Sequence, residues 1–281
     1  MKRFLFLCAL PAAGLCLGCH DAGDDLAALE ASTAAPAEPP SPISEPPPSP
    51  NDAPDAEPPA DPQAPQAPQA PPTGPVGHFK GVVLFRGPVP APVTLQATKD
   101  EEVCSLGAGF VQDVQVTDGR LAGAVVELRV RKVDRSKFVT PEGGFVLRQK
   151  DCLFTPRLLV AFDGAELTVH NDDQVAHNVN TGSWNLLQSP DGEPIRQKIA
   201  YQGTPFARVT CNIHSWMESW VYVARSPHYG VSGQDGQFAI LDIPPGHYRG
   251  TITHATLGKQ SFKVDIFENK ETNITFQFPE R

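Results

Sequence analysis

From Gly77 to the C-terminus the apolar residues of this chain arrive in short runs cut by turn-forming residues, and no stretch sustains the 3.6-residue period of an amphipathic helix. Gly81-Val82-Val83-Leu84-Phe85, Ala124-Val125-Val126-Glu127-Leu128-Arg129-Val130, Glu166-Leu167-Thr168-Val169-His170 and Trp220-Val221-Tyr222-Val223 are rich in β-branched and aromatic side chains, which pack well on a pleated surface. Between such runs Thr117-Asp118-Gly119, Phe162-Asp163-Gly164 and Gln234-Asp235-Gly236 place Asp-Gly pairs suited to tight reversals. Short strands at regular spacing with turn signals predict an all-β sandwich or barrel.

The first quarter of the chain is excluded from that fold. Residues 1–18 have a basic start (Lys2, Arg3) and an apolar run from Phe4 to Leu17, too short to span a membrane, and read as an export signal. From His20 to Val76 there are ten acidic residues and no Lys or Arg, and Pro36 to Pro75 is built largely from Pro, Ala, Gln, Ser and Glu. With so little apolar surface to offset ordering entropy, residues 19–76 are expected to form an extended, disordered tether. Its proline-rich 40 residues could reach on the order of 100 Å. The whole chain carries a net charge of −9. Once the leader and tether are set aside, the remainder is nearly neutral, with no basic patch or stripe to recognise nucleic acid.

Export places the cysteines in an oxidising compartment, where disulfides persist. Cys8 and Cys16 leave with the signal. Leu15-Cys16-Leu17-Gly18-Cys19 resembles the lipobox of bacterial lipoproteins, with Cys16 where that family usually has leucine. The resemblance implies that Cys19 is lipidated, becomes the mature N-terminus and anchors the chain to a membrane. His20 stands where an aspartate commonly retains such proteins in the inner membrane, so an outer-membrane lipoprotein facing the periplasm or cell surface is expected. Cys104, Cys152 and Cys211 remain, and three pairings are open. Cys104 with Cys152 is the expected disulfide, because Cys211 has His214 and Met217 close by and reads as a metal ligand.

Cys211-Asn212-Ile213-His214-Ser215-Trp216-Met217 puts a thiol, an imidazole and a thioether on one short loop, and His177 lies 34 residues upstream. Two imidazoles and a thiolate in a plane, with a methionine sulfur on the axis, form the ligand set of mononuclear copper in electron transfer. Zinc is disfavoured, because methionine does not serve it. Copper oxidases and nitrite reductases add centres built with paired His-x-His motifs, and the sequence has none, so a carrier is expected rather than a catalyst. A copper chaperone or store, and a metal-free structural or carbohydrate-binding surface protein, are the competing readings. His170, His228, His247 and His254 read as solvated or structural.

Two family resemblances organise the folded part. Phe154-Thr155-Pro156, the run Asp163 to Asn171, His177-Asn178-Val179 and the Cys211 loop followed by a strand are similar to the cupredoxins, in the order used by plastocyanins and amicyanins. The resemblance implies a Greek-key sandwich over 144–225 with a type 1 copper held by His177, Cys211, His214 and Met217. It also implies that Asn178 hydrogen-bonds to the backbone beside Cys211, that Trp216 shields the metal or faces a partner, and that electrons leave through the His214 ring edge to redox proteins. Ile213 departs from the pattern, which has proline there. Gly236-Gln237-Phe238-Ala239-Ile240 and Ile243-Pro244-Pro245-Gly246-His247-Tyr248 resemble the carboxypeptidase regulatory-like, transthyretin-like sandwich, whose early strands match Gly81-Val82-Val83 and Gly123-Ala124-Val125-Val126. The expected organisation is therefore a copper domain at 144–225 inserted between the strands of a second sandwich, 77–143 and 226–281, with a tandem arrangement as the alternative.

Overall fold

The computed structural model describes residues 74–104 and 109–279. The expected signal at 1–18, Cys19 and the tether as far as residue 73 lie outside the described residues. Within them the protein is all-β, and strands with one face on a core bury alternate residues: in Gln237–Ile243 Phe238 and Ile240 point inward while Gln237, Ala239 and Leu241 are exposed. A period of two is the expected signature of a sheet with one face on a core.

One core is closed by two sheets drawn from both ends of the folded chain. Strand Gly77–Phe85 pairs antiparallel with Gln237–Ile243 and parallel with Glu271–Phe278, and Arg120–Leu121 extends the same sheet. The facing sheet orders Tyr229–Val231, Val125–Arg129, Gly246–His254 and Gly258–Ile266. Phe79, Val83, Phe238 and Phe276 from the first meet Val126, Leu128, Ile252 and Val264 from the second in a single apolar cluster. Asp118 (φ 50°) and Gly119 (φ 74°) make the reversal between Val116–Thr117 and Arg120–Leu121 with two successive left-handed residues, the conformation that matches strand twist in a two-residue hairpin.

Strands between Phe145 and Ala224 pair only with one another and enclose a separate core. One sheet orders Ile195–Lys198, Glu166–Asn171, Phe145–Lys150 and Leu153–Thr155; the other orders Asn185–Gln188, His177–Asn180, Phe206–Thr210, Glu218–Ala224 and Leu158–Phe162. Phe145–Lys150 lies parallel to Glu166–Asn171, and Leu158–Phe162 between them belongs to the opposite sheet. The chain thus crosses over and returns, as a parallel pair requires. It leaves the first core after Arg129 and rejoins it at Tyr229.

Segment 97–104 lies on the N-terminal side of that excursion, within the stretch expected to belong to the first sandwich, but Ala97, Val103 and Cys104 pack on the second core. The reason is covalent: Cys104 is joined to Cys152 in a disulfide across a separation of 48 residues. The two sandwiches are themselves joined by a buried carboxylate. Glu127 of the first accepts hydrogen bonds from the Tyr222 hydroxyl of the second (2.7 Å) and from the backbone N–H groups of Arg225 (2.6 Å) and Ser226 (2.7 Å), which follow its last strand. Burial raises the Glu127 carboxyl above its usual range even against these three donors. Val125, Tyr222 and Ala224 form a small apolar cluster around the joint.

Candidate metal centre

His177 opens the strand His177–Asn180, and Cys211 follows the strand Phe206–Thr210. These strands run antiparallel with Asn180 opposite Thr210, so the start of one lies beside the loop that leaves the other. The loop then closes on itself. Cys211 N–H donates to the Met217 carbonyl at 3.3 Å and Met217 N–H to the His214 carbonyl at 3.0 Å, which brings Met217 back beside Cys211 before the strand Glu218–Ala224 begins. No proline is needed for this closure. Ile213 packs against the second core, and the His214 N–H points at the Cys211 sulfur at 3.4 Å.

Sequence separation is thereby converted into contact. His177 and His214 are wholly buried, Met217 likewise, and Cys211 is 3% exposed. The Nδ1 atoms of the two rings lie 2.9 Å apart, and the Cys211 Sγ is 3.9 Å from His214 Nδ1. His177, Cys211 and His214 offer ligand atoms all within 4.8 Å of one another. The Asn178 N–H approaches the Cys211 sulfur at 3.5 Å, while Asn178 Oδ1 accepts from the Asn212 N–H at 2.5 Å and its amide nitrogen donates to Asn185 Oδ1. One asparagine therefore ties the His177 strand, its neighbour and the cysteine loop together. The Trp216 ring lies 5.1 Å from the His214 ring, tilted by 55°, and donates its indole N–H to the Cys152 carbonyl at 3.1 Å.

Two carboxylates complete the arrangement. His177 Nε2 is 2.8 Å from Asp173 Oδ2, and His214 Nε2 is 2.8 Å from Asp100 Oδ2. An ionised carboxylate only accepts, so each ring presents an N–H at Nε2, and a neutral ring then carries its lone pair at Nδ1. With both rings neutral, two bare nitrogens and a sulfur would face one another in a buried site. Unshared lone pairs in contact repel, so the centre calls for a cation, either a proton or a metal. The acid–base balance of the site agrees. Burial raises the Cys211 thiol, but the neighbouring His177 and the N–H groups of Asn178, His214 and Ile213 outweigh it and hold the thiol down at about 6. Burial opposes charge on His177, yet Asp173 and the Cys211 sulfur lift its pKa above the ordinary value. A preformed thiolate beside two oriented imidazoles, each backed by a carboxylate, fits the donor preferences of a soft, borderline cation such as copper.

The His214 edge is closed to solvent: the ring is wholly buried and its outer nitrogen is occupied by Asp100. The disulfide that pins segment 97–104 to Cys152 brings this cover over the ring. Neither carboxylate figured in the expected site. Asp173 had a local signal, an acid four residues before His177; Asp100 lies 114 residues from its partner and had none. Among the other histidines, His254 is 4% exposed and structural, its Nδ1 accepting the Thr256 N–H at 3.3 Å.

No protein-family model matches this chain, and no curated protein matches it either. Among solved structures it is similar to a Cu-containing nitrite reductase (NirK) from Thermus scotoductus SA-01, at 17% identity and a TM-score of 0.24, over 29% of this chain and 22% of that one. The match spans less than a quarter of the reductase, and a likeness of this size carries no weight for fold or function. What the fold and the site define on their own is an all-β protein with a buried His-Cys-His cluster able to hold a metal ion.

Proposed function

We propose that this protein is an exported, lipid-anchored carrier of single electrons with a mononuclear type 1 copper centre. His177, Cys211, His214 and Met217 would hold the metal. One observation carries the reading: two Nδ1 lone pairs and a thiolate sulfur converge in a buried site with both Nε2 atoms committed to carboxylates. Bound copper supplies reversible one-electron chemistry, and the protein's part is to keep its ligands in one arrangement in both redox states. Asp173 and Asp100 hold the ring orientations, Asn178 holds the cysteine loop, and the closed core excludes water. Burial of all four proposed ligand residues favours retention of the metal over its surrender to an acceptor. The tether and Cys19 would let the anchored domain search for redox partners from the outer membrane.

The test is the visible and paramagnetic resonance spectrum of the full chain after one equivalent of Cu(II), beside a Cys211→Ser control. An intense blue band with compressed copper hyperfine splitting, absent from the control, is the expected result. A pale spectrum unaffected by the substitution would overturn the proposal. Membrane anchoring is tested separately by fractionation: Cys19→Ser should move the protein from the outer membrane to the soluble fraction.

A further inference from the structure

Resting on the copper reading above, we infer that Asp100 is a positioning residue for the metal centre, delivered to it by a turn that the Cys104–Cys152 disulfide clamps in place. The route from sequence to contact is specific. Asp100 adopts a left-handed backbone conformation (φ 50°), and its carbonyl accepts the N–H groups of Val103 (3.0 Å) and Cys104 (2.9 Å). That single turn ties the Asp100 backbone to that of Cys104. The Cys104 sulfur is bonded to Cys152, whose N–H donates to Asp173 at 2.9 Å and whose carbonyl accepts the Trp216 indole N–H at 3.1 Å. The disulfide thus sits between the partners of both histidines. The Cys104 and Cys152 sulfurs lie within 4.8 Å of a His214 nitrogen.

Two consequences follow for His214. Its Nε2–H is held by Asp100 at 2.8 Å, which leaves Nδ1 bare and directed at His177 and Cys211, the orientation a ligand needs. The turn also covers the outer edge of the ring, so His214 is wholly buried although the Asp100 side chain itself is 35% exposed. A centre with a protein carboxylate on its outer imidazole and a covalently held cover should exchange metal slowly.

Two readouts on the full chain test this. In the metal-free protein, ring nitrogen magnetic resonance should show His214 in a single tautomer with a slowly exchanging Nε2–H. Asp100→Asn, which keeps an acceptor oxygen, should retain that tautomer; Asp100→Ala should release it to a mixture with faster exchange. In the copper-loaded protein, transfer of the metal to a strong chelator should accelerate by ~10-fold or more in Asp100→Ala, with Asp100→Asn between it and the parent. If Asp100→Ala does not fold, the pair Cys104→Ser with Cys152→Ser leaves Asp100 present but frees its turn, and must speed exchange of the same N–H. A parent-like tautomer and chelator rates within about twofold in Asp100→Ala would overturn the inference. Should the full chain take up no copper, the electron-carrier proposal falls while the tautomer comparison still decides what Asp100 does to His214.

Discussion

Replacing Cys104 and Cys152 together by serine removes one covalent bond and keeps the hydrogen bonds on the Cys152 side, because Asp173 and Trp216 bind the Cys152 backbone rather than its sulfur. The loss should therefore come mainly from the unfolded state. Closing a loop across 48 residues lowers the entropy of the unfolded chain by about 14 cal/mol/K, equivalent to about 4 kcal/mol at 25 °C. With a urea slope of ~2–3 kcal/mol/M for a fold of this size, the midpoint should fall by roughly 1.5 M. The assay can be confined to the affected core, since the three tryptophans, Trp184, Trp216 and Trp220, all lie in the 145–224 sandwich. Tryptophan fluorescence of the metal-free protein should report the full shift, and any separate transition of the sandwich built on Phe79 and Leu128 should move little. A change below about 1 kcal/mol in the fluorescence transition would refute the entropic account. It would mean that segment 97–104 is held by its apolar contacts alone.

Three further outcomes are expected. Glu127→Ala strands three donors at the joint between the sandwiches, the Tyr222 hydroxyl and the Arg225 and Ser226 N–H groups, and should cost ~3–5 kcal/mol in chemical denaturation and split one transition into two; Glu127→Gln should cost less. Burial holds His254 down at about 4 against an ordinary 6.5, so the unfolded chain takes up the proton first. His254 therefore supports the fold above pH 6.5, and as the pH falls toward 4 roughly 3 kcal/mol is lost, a dependence that His254→Gln should flatten in acid unfolding curves. Asn178→Ala removes the acceptor for the Asn212 N–H and should destabilise the metal-free protein by ~1–3 kcal/mol; in the copper-loaded protein it should broaden the visible band, as a looser cysteine loop samples several geometries.

How much of this protein can be read without its fold depends on how far apart the contacting residues stand. Strand character is local, so the alternating runs and the Asp118-Gly119 reversal are legible in the sequence, and with them the all-β class. The Cys211 to Met217 loop is equally local, and its thiol, imidazole and thioether announce soft-metal chemistry within seven residues. His177 could be named from the donor set the loop needs, but the role of the Asn178 side chain was inferred by resemblance, because its meeting with Cys211 depends on the pairing of Asn180 with Thr210. Beyond that range no periodicity survives. Three cysteine pairings stood open in the sequence, and the folded chain joins Cys104 to Cys152. Asp100 is one acid among many until the disulfide brings it to a ring 114 residues away. The burial of His214 is likewise a property of what covers it. Residue types and short spacings specify which atoms could bind a metal. Only the tertiary structure decides which nitrogen of each ring is free to do so, because that depends on carboxylates supplied from elsewhere in the chain.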